Sequence, residues 1–164
     1  MEKIIMQAVN HMRALYQHIY REPYDKWVTK QHTRKTPHMR YRHVVRTLTR
    51  RAYEHITLDE VSRAEGFLLQ TNPVYHDSII NSIKAYPSIR KQFPRHTKKI
   101  ERYSRKISGN DSSDLQWELT EKIRSLPIGE PRSVLYRLLS RDAVILNVLV
   151  EILEEKELRQ GRKF

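Results

Sequence analysis

Apolar residues recur at three- and four-residue steps along most of this chain, the spacing that lines one face of a helix. Ile4, Ile5, Ala8, Val9, Met12, Leu15, Tyr16 and Ile19 form one continuous stripe, which predicts a first helix of about five turns closed by Pro23. Residues 24–37 hold no sustained period and are rich in Lys, Arg, Thr and His, so they read as a basic connector anchored by Trp27. A second helix, over residues 38–55, turns Tyr41, Val45, Leu48 and Ala52 inward. Thr57 with Glu60 makes a capping box before Val61, Ala64, Leu68 and Leu69, which predicts a third helix that tolerates Gly66. Asn72-Pro73 reads as the start of a fourth, with Ile79, Ile80, Ile83 and Tyr86 inward and Pro87 as its end.

Further on, a charged helix carries only Ile100, Tyr103 and Ile107 as its apolar seam, and Gly109-Asn110 ends it. Ser113 caps a helix with Leu115, Leu119, Ile123 and Leu126, a turn follows at residues 127–131, and Val134, Leu135, Leu138 and Leu139 make a short helix. Ser140 then caps the most apolar helix, with Val144, Ile145, Val148, Leu149, Ile152 and Leu153. The expected architecture is all-α: an N-terminal three-helix bundle with a helical C-terminal extension. Its parts are a bundle over residues 1–87, a basic helical segment over 88–110 and a neutral extension over 111–164.

Composition narrows the chemistry. Four glycines among 164 residues leave no material for a phosphate-binding or dinucleotide loop. The absence of cysteine removes disulfides and thiolate chemistry and argues against secretion. No apolar run approaches the roughly 20 residues that cross a bilayer. The N-terminus carries Glu2 and lacks early arginines, a poor match to a cleavable transit peptide. Eight histidines occur without ligand spacing, and His32, His38 and His43 lie in a basic neighbourhood that repels cations, so no metal site is expected.

Charge changes the picture most. Residues 1–110 hold 22 Lys/Arg against 9 Asp/Glu, whereas residues 111–164 hold 9 against 10, so the net +12 is confined to the first two-thirds. That excess implies an acidic partner or a charged environment. Arg42, Arg46 and Arg50 recur at four-residue steps on the second helix, joined by Arg51, a like-charged stripe that either solvent screens or a partner offsets. Residues 91–106 add Lys91, Arg95, Lys98, Lys99, Arg102, Arg105 and Lys106. With Tyr41, Tyr53, Tyr75, Tyr86 and Tyr103 interleaved, these helices suit sequence-blind contact with RNA or DNA backbone. Arg50 and His55, with four residues between, match the spacing of helical HEPN-type ribonucleases; the basic stripe and a helix C-terminus account for the same residues without catalysis, and no catalytic residue is assigned.

The order of these features resembles the mitochondrial LYR-motif family. The resemblance rests on Leu15-Tyr16-Gln17-His18-Ile19-Tyr20-Arg21 in the first helix, Trp27 in the connector and residues 41–54 in the second helix, and it covers roughly residues 8–80. Gln17 stands where the family has arginine and Trp27 where it has phenylalanine; a literal triplet, Leu135-Tyr136-Arg137, has too little chain after it to build the family's bundle. The resemblance implies a non-enzymatic adaptor, an accessory subunit or assembly factor of a large complex on the matrix side of mitochondria. It also implies docking of acyl carrier protein. On that reading Leu15, Tyr16, Arg21, Arg42, Arg46, Arg50 and Arg51 meet the carrier, and Ile19, Val45, Leu48, Val61 and Leu68 line a groove for its acyl-pantetheine chain, with no intrinsic cofactor. The charge and the tyrosines alone support the alternative, a structural nucleic-acid-binding protein.

Overall fold

A computed structural model describes residues 2–53 and 55–124, together with Val148 and Ile152. Its described elements are all helical: α1 (Lys3–Tyr20), α2 (Tyr24–Lys30), α3 (Thr36–Ala52), α4 (Leu58–Leu69), α5 (His76–Gln92), α6 (Pro94–Ser108) and α7 (Asp114–Arg124). None is long and apolar enough to cross a membrane.

The chain divides into two compact units, residues 1–111 and 112–164. The first holds six helices where the hydrophobic pattern suggested a three-helix bundle with a separate basic segment. Residues 88–110 belong to this unit, because α6 packs on α1, α3 and α5. Their high charge hid the seam of Thr97, Ile100, Glu101, Ser104 and Arg105, all of them buried.

The α1 stripe buries Ile5, Ala8, Val9, Met12, Leu15 and Tyr16, and the helix stops at Arg21, whose left-handed backbone (φ 52°) returns its N–H to the Gln17 carbonyl at 2.8 Å. Pro23 therefore opens α2 instead of closing α1. The supposed connector contains this seven-residue helix, too short to show a period, and it folds because Trp27 is wholly buried against the Tyr16 ring, 4.9 Å between centroids. The Tyr24 hydroxyl pins its start to the Leu68 carbonyl.

Helix α4 begins at the expected capping box, where Glu60 N–H donates to Thr57 Oγ1 (3.2 Å) and Thr57 N–H to Glu60 Oε2 (2.7 Å). Gly66 is required by close approach: a Cβ there would lie 3.0 Å from both the Pro73 nitrogen and the Thr71 carbonyl oxygen. That contact, with the Ser62 hydroxyl on the Val74 carbonyl, straps residues 71–74 across α4, which is why α5 starts at His76 and not at Asn72-Pro73.

Helix α5 runs through Pro87, which the sequence suggested as its end. Proline forfeits one backbone hydrogen bond there. The helix is held on both sides of it, since the Tyr86 hydroxyl and the Arg90 guanidinium (2.6 Å) both donate to the buried Glu101 carboxylate of α6. Gly109 (φ 73°) closes α6, with Asn110 N–H on the Arg105 carbonyl at 2.9 Å.

In the second unit Ser113 caps α7 through reciprocal bonds with Gln116 of 3.2 and 2.8 Å, and Trp117, Leu119 and Ile123 are buried. The turn at 127–131, the short helix at 134–139 and the literal triplet lie outside the described residues, as does most of the apolar helix at 144–153. Of that helix, Val148 and Ile152 are helical and exposed.

Candidate functional site

The residues assigned to an acyl-chain groove pack on one another. Val45, Leu48 and Val61 are wholly buried, Leu68 is 1% exposed and only Ile19 is partly accessible. Leu15 and Tyr16, offered as partner contacts, are equally buried, and burial together with the nearby Glu65 carboxylate raises the Tyr16 hydroxyl well above its ordinary pKa. The groove-like spacing was the signature of a core stripe.

The arginine stripe of α3 is not a common docking face either. Arg46 points inward and forms a bidentate pair with Glu65, two bonds of 2.6 Å, with a third donation to Ser82 Oγ at 3.3 Å. Arg42 donates to the Thr33 carbonyl at 2.6 Å and so fixes the α2–α3 turn. Arg51 lies over the buried Tyr86 ring at 4.5 Å, and Arg50 is half-buried in the last turn. His55 sits beyond the end of α3 in an exposed turn, so Arg50 and His55 do not share a helix. Arg21 alone of the predicted partner residues is exposed.

Among the described residues, the outward stripe of cations lies on α6. Arg95, Lys99, Arg102 and Lys106 are exposed and fall within an arc of about 60° at 100° per residue, along about 16 Å of helix. The helix's one acidic residue, Glu101, faces the core and is 1% exposed. Its exposed face therefore carries cations and no carboxylate.

Beside this ridge runs a strip of half-exposed rings that sequence reasoning missed. Tyr103 stacks flat on His18 of α1, with centroids 4.1 Å apart and planes 7° from parallel. His96 meets the edge of Tyr41 at 5.5 Å, and Tyr41 meets Tyr20 at 5.4 Å. Tyr20 hydroxyl and His38 Nδ1 share a hydrogen bond of 2.8 Å, and Gln31 donates to the same hydroxyl at 2.9 Å. Phe93, 39% exposed, lies under the Arg40 guanidinium at 3.8 Å. The spacing His96, Lys99, Tyr103 was the available signal, because it sets a ring strip between the cations and the buried seam.

The field over this face is positive. Burial first, and then neighbouring cations, lower three of its histidines: Arg21 acts on His18; Lys30, Lys35 and Arg42 act on His38; Arg40 and Lys99 act on His96. Glu22, which acts on His38 in the opposite sense, is paired with Lys30.

Of the other tyrosines considered for stacking, Tyr86 is buried, Tyr53 donates to the Gln7 carbonyl at 3.3 Å, and Tyr75 is 87% exposed on the α4–α5 loop. Another polar constellation ties α1 to α3 and α6: His11 Nδ1 lies 3.0 Å from Thr49 Oγ1, and Nε2 lies 3.0 Å from Ser104 Oγ. Burial lowers His11 to about 4, which makes it a weak base for activating the serine at neutral pH. Among the described residues no group of three or more His, Asp or Glu is placed to hold a metal ion.

Compared with models of protein families, with curated proteins and with solved structures, the chain matches none.

Proposed function

We propose that this chain is a non-enzymatic helical binding protein that engages the phosphate backbone of nucleic acid through the ring-flanked cationic face of α6 and the adjoining ends of α1 and α3. The observation that carries the reading is the pairing of the exposed cations Arg95, Lys99 and Lys106, on a helix whose one carboxylate is buried, with half-exposed rings under a positive field. Lysine and arginine neutralise phosphates and release their counterions, while planar groups offer stacking surfaces. The carrier-protein reading needs an open groove, and its proposed lining is core.

Fluorescence anisotropy with a labelled 20-nucleotide strand tests this. Three phosphate contacts on a single strand, from Arg95, Lys99 and Lys106, predict a loss of about twentyfold in affinity between 50 and 200 mM salt. Reversing Arg95 and Lys99 to glutamate should abolish most of the binding and flatten the slope. Salt-insensitive binding, or reversal without effect, refutes the proposal. Displacement of the strand by equimolar acyl carrier protein would return the face to the carrier reading.

A further inference from the structure

Resting on that reading, we infer that the face selects single-stranded nucleic acid and stacks unpaired bases on Phe93, His96 and Tyr103. A duplex offers side-chain rings nothing to stack on along its length, because its base faces are covered by one another. This face carries more than cations. Phe93 keeps 39% of its surface in water at the junction of α5 and α6, with Arg40 laid over its ring at 3.8 Å, so a ring and a planar guanidinium stand together at the surface. Met39, also 39% exposed, adds an apolar neighbour in sequence. Along α6, His96 and Tyr103 lie on the strip next to the ridge of Arg95, Lys99 and Lys106, so a strand whose phosphates follow the ridge lays its bases toward the rings. The ridge measures about 16 Å, enough for a few nucleotides and too short for a turn of duplex at about 34 Å.

Stacking is indifferent to which base is present, so the preference concerns strandedness and not sequence. Three probes of equal length separate the contributions: a 20-nucleotide thymidine strand, an abasic strand of the same phosphate count, and a 20-base-pair duplex. The thymidine strand should bind about tenfold or more tighter than the abasic strand and tighter than the duplex at the same salt. Phe93→Ala should cut thymidine-strand affinity about tenfold and leave the abasic strand unchanged. Phe93→Leu, which keeps apolar bulk at the α5–α6 junction while removing the π face, should reproduce the loss, and unchanged circular dichroism would show that the fold is intact. Equal binding of all three probes, insensitive to both substitutions, overturns base stacking and leaves the backbone reading standing. Binding of none of them overturns both.

Discussion

Lowering the pH should destabilise the first unit through His11 in particular. The imidazole sits 3% exposed between Thr49 and Ser104, bridging α1 to α3 and α6, and burial holds its pKa at about 4 against an ordinary value of 6.5. Between those two values the unfolded chain binds a proton at this residue and the folded chain does not. Stability is therefore complete above about pH 6.5, falls as pH drops toward 4, and levels off below. A displacement of that size corresponds to a loss of about 3 kcal/mol, a large share of the stability of a small domain. Urea unfolding in a Trp117→Phe background reports the first unit alone, since Trp27 is then the one tryptophan left. His11→Asn supplies the comparison: its amide stands in for Nδ1 toward Thr49, gives up the bond to Ser104 and takes up no proton, so the variant should be less stable than the parent at pH 7 and lose less on acidification. His18, His38, His43 and His96 are lowered too, but they are common to both chains and drop out of the difference. Parallel acid curves for parent and variant, or a His11 titration near 6.5 by NMR, would refute the reasoning.

The buried Arg46–Glu65 pair yields a sharp contrast: Arg46→Met or Glu65→Gln, each leaving an unmatched partner in the core, should cost about 3 to 5 kcal/mol, while Arg46→Met with Glu65→Leu should recover most of it. Chemical denaturation of the four chains checks this, and a single-site loss below 1 kcal/mol would show that the pair is solvated. At the surface, a bound phosphate cancels the positive field that helps lower His18, His38 and His96, so binding takes up protons and nucleic-acid affinity should rise as pH falls from 8 to 6. Anisotropy across that range at fixed salt measures it, with His96→Gln reducing the slope; a flat profile would place the phosphates away from these rings.

Much of the fold was legible in the sequence because helix formation here is governed by local signals. The three- and four-residue period marked the apolar residues buried on α1, with Ile4 and Ile19 at its half-buried ends, and passed over the buried His11. Thr57 with Glu60, Ser113 and Gly109 marked helix ends, since caps satisfy backbone groups within a few residues. Local signals failed where a distant contact decided the matter. Pro87 did not stop α5, because Tyr86 and Arg90 on either side of it are tied to Glu101; residues 24–30 formed a helix because Trp27 found Tyr16.

The candidate site shows the same division. Net charge and its confinement to residues 1–110 follow from the sequence alone. Which cations meet solvent does not, because an arginine at a helical step is a docking residue or a core residue according to whether a carboxylate from another helix reaches it. Glu65 reaches Arg46 and takes it inside, while no carboxylate of α6 faces outward beside Arg95 and Lys99. Only the packing of α6 across α1 and α3 brings Tyr103 to His18 and His96 to Tyr41, turning a charged helix into a face with both cations and rings.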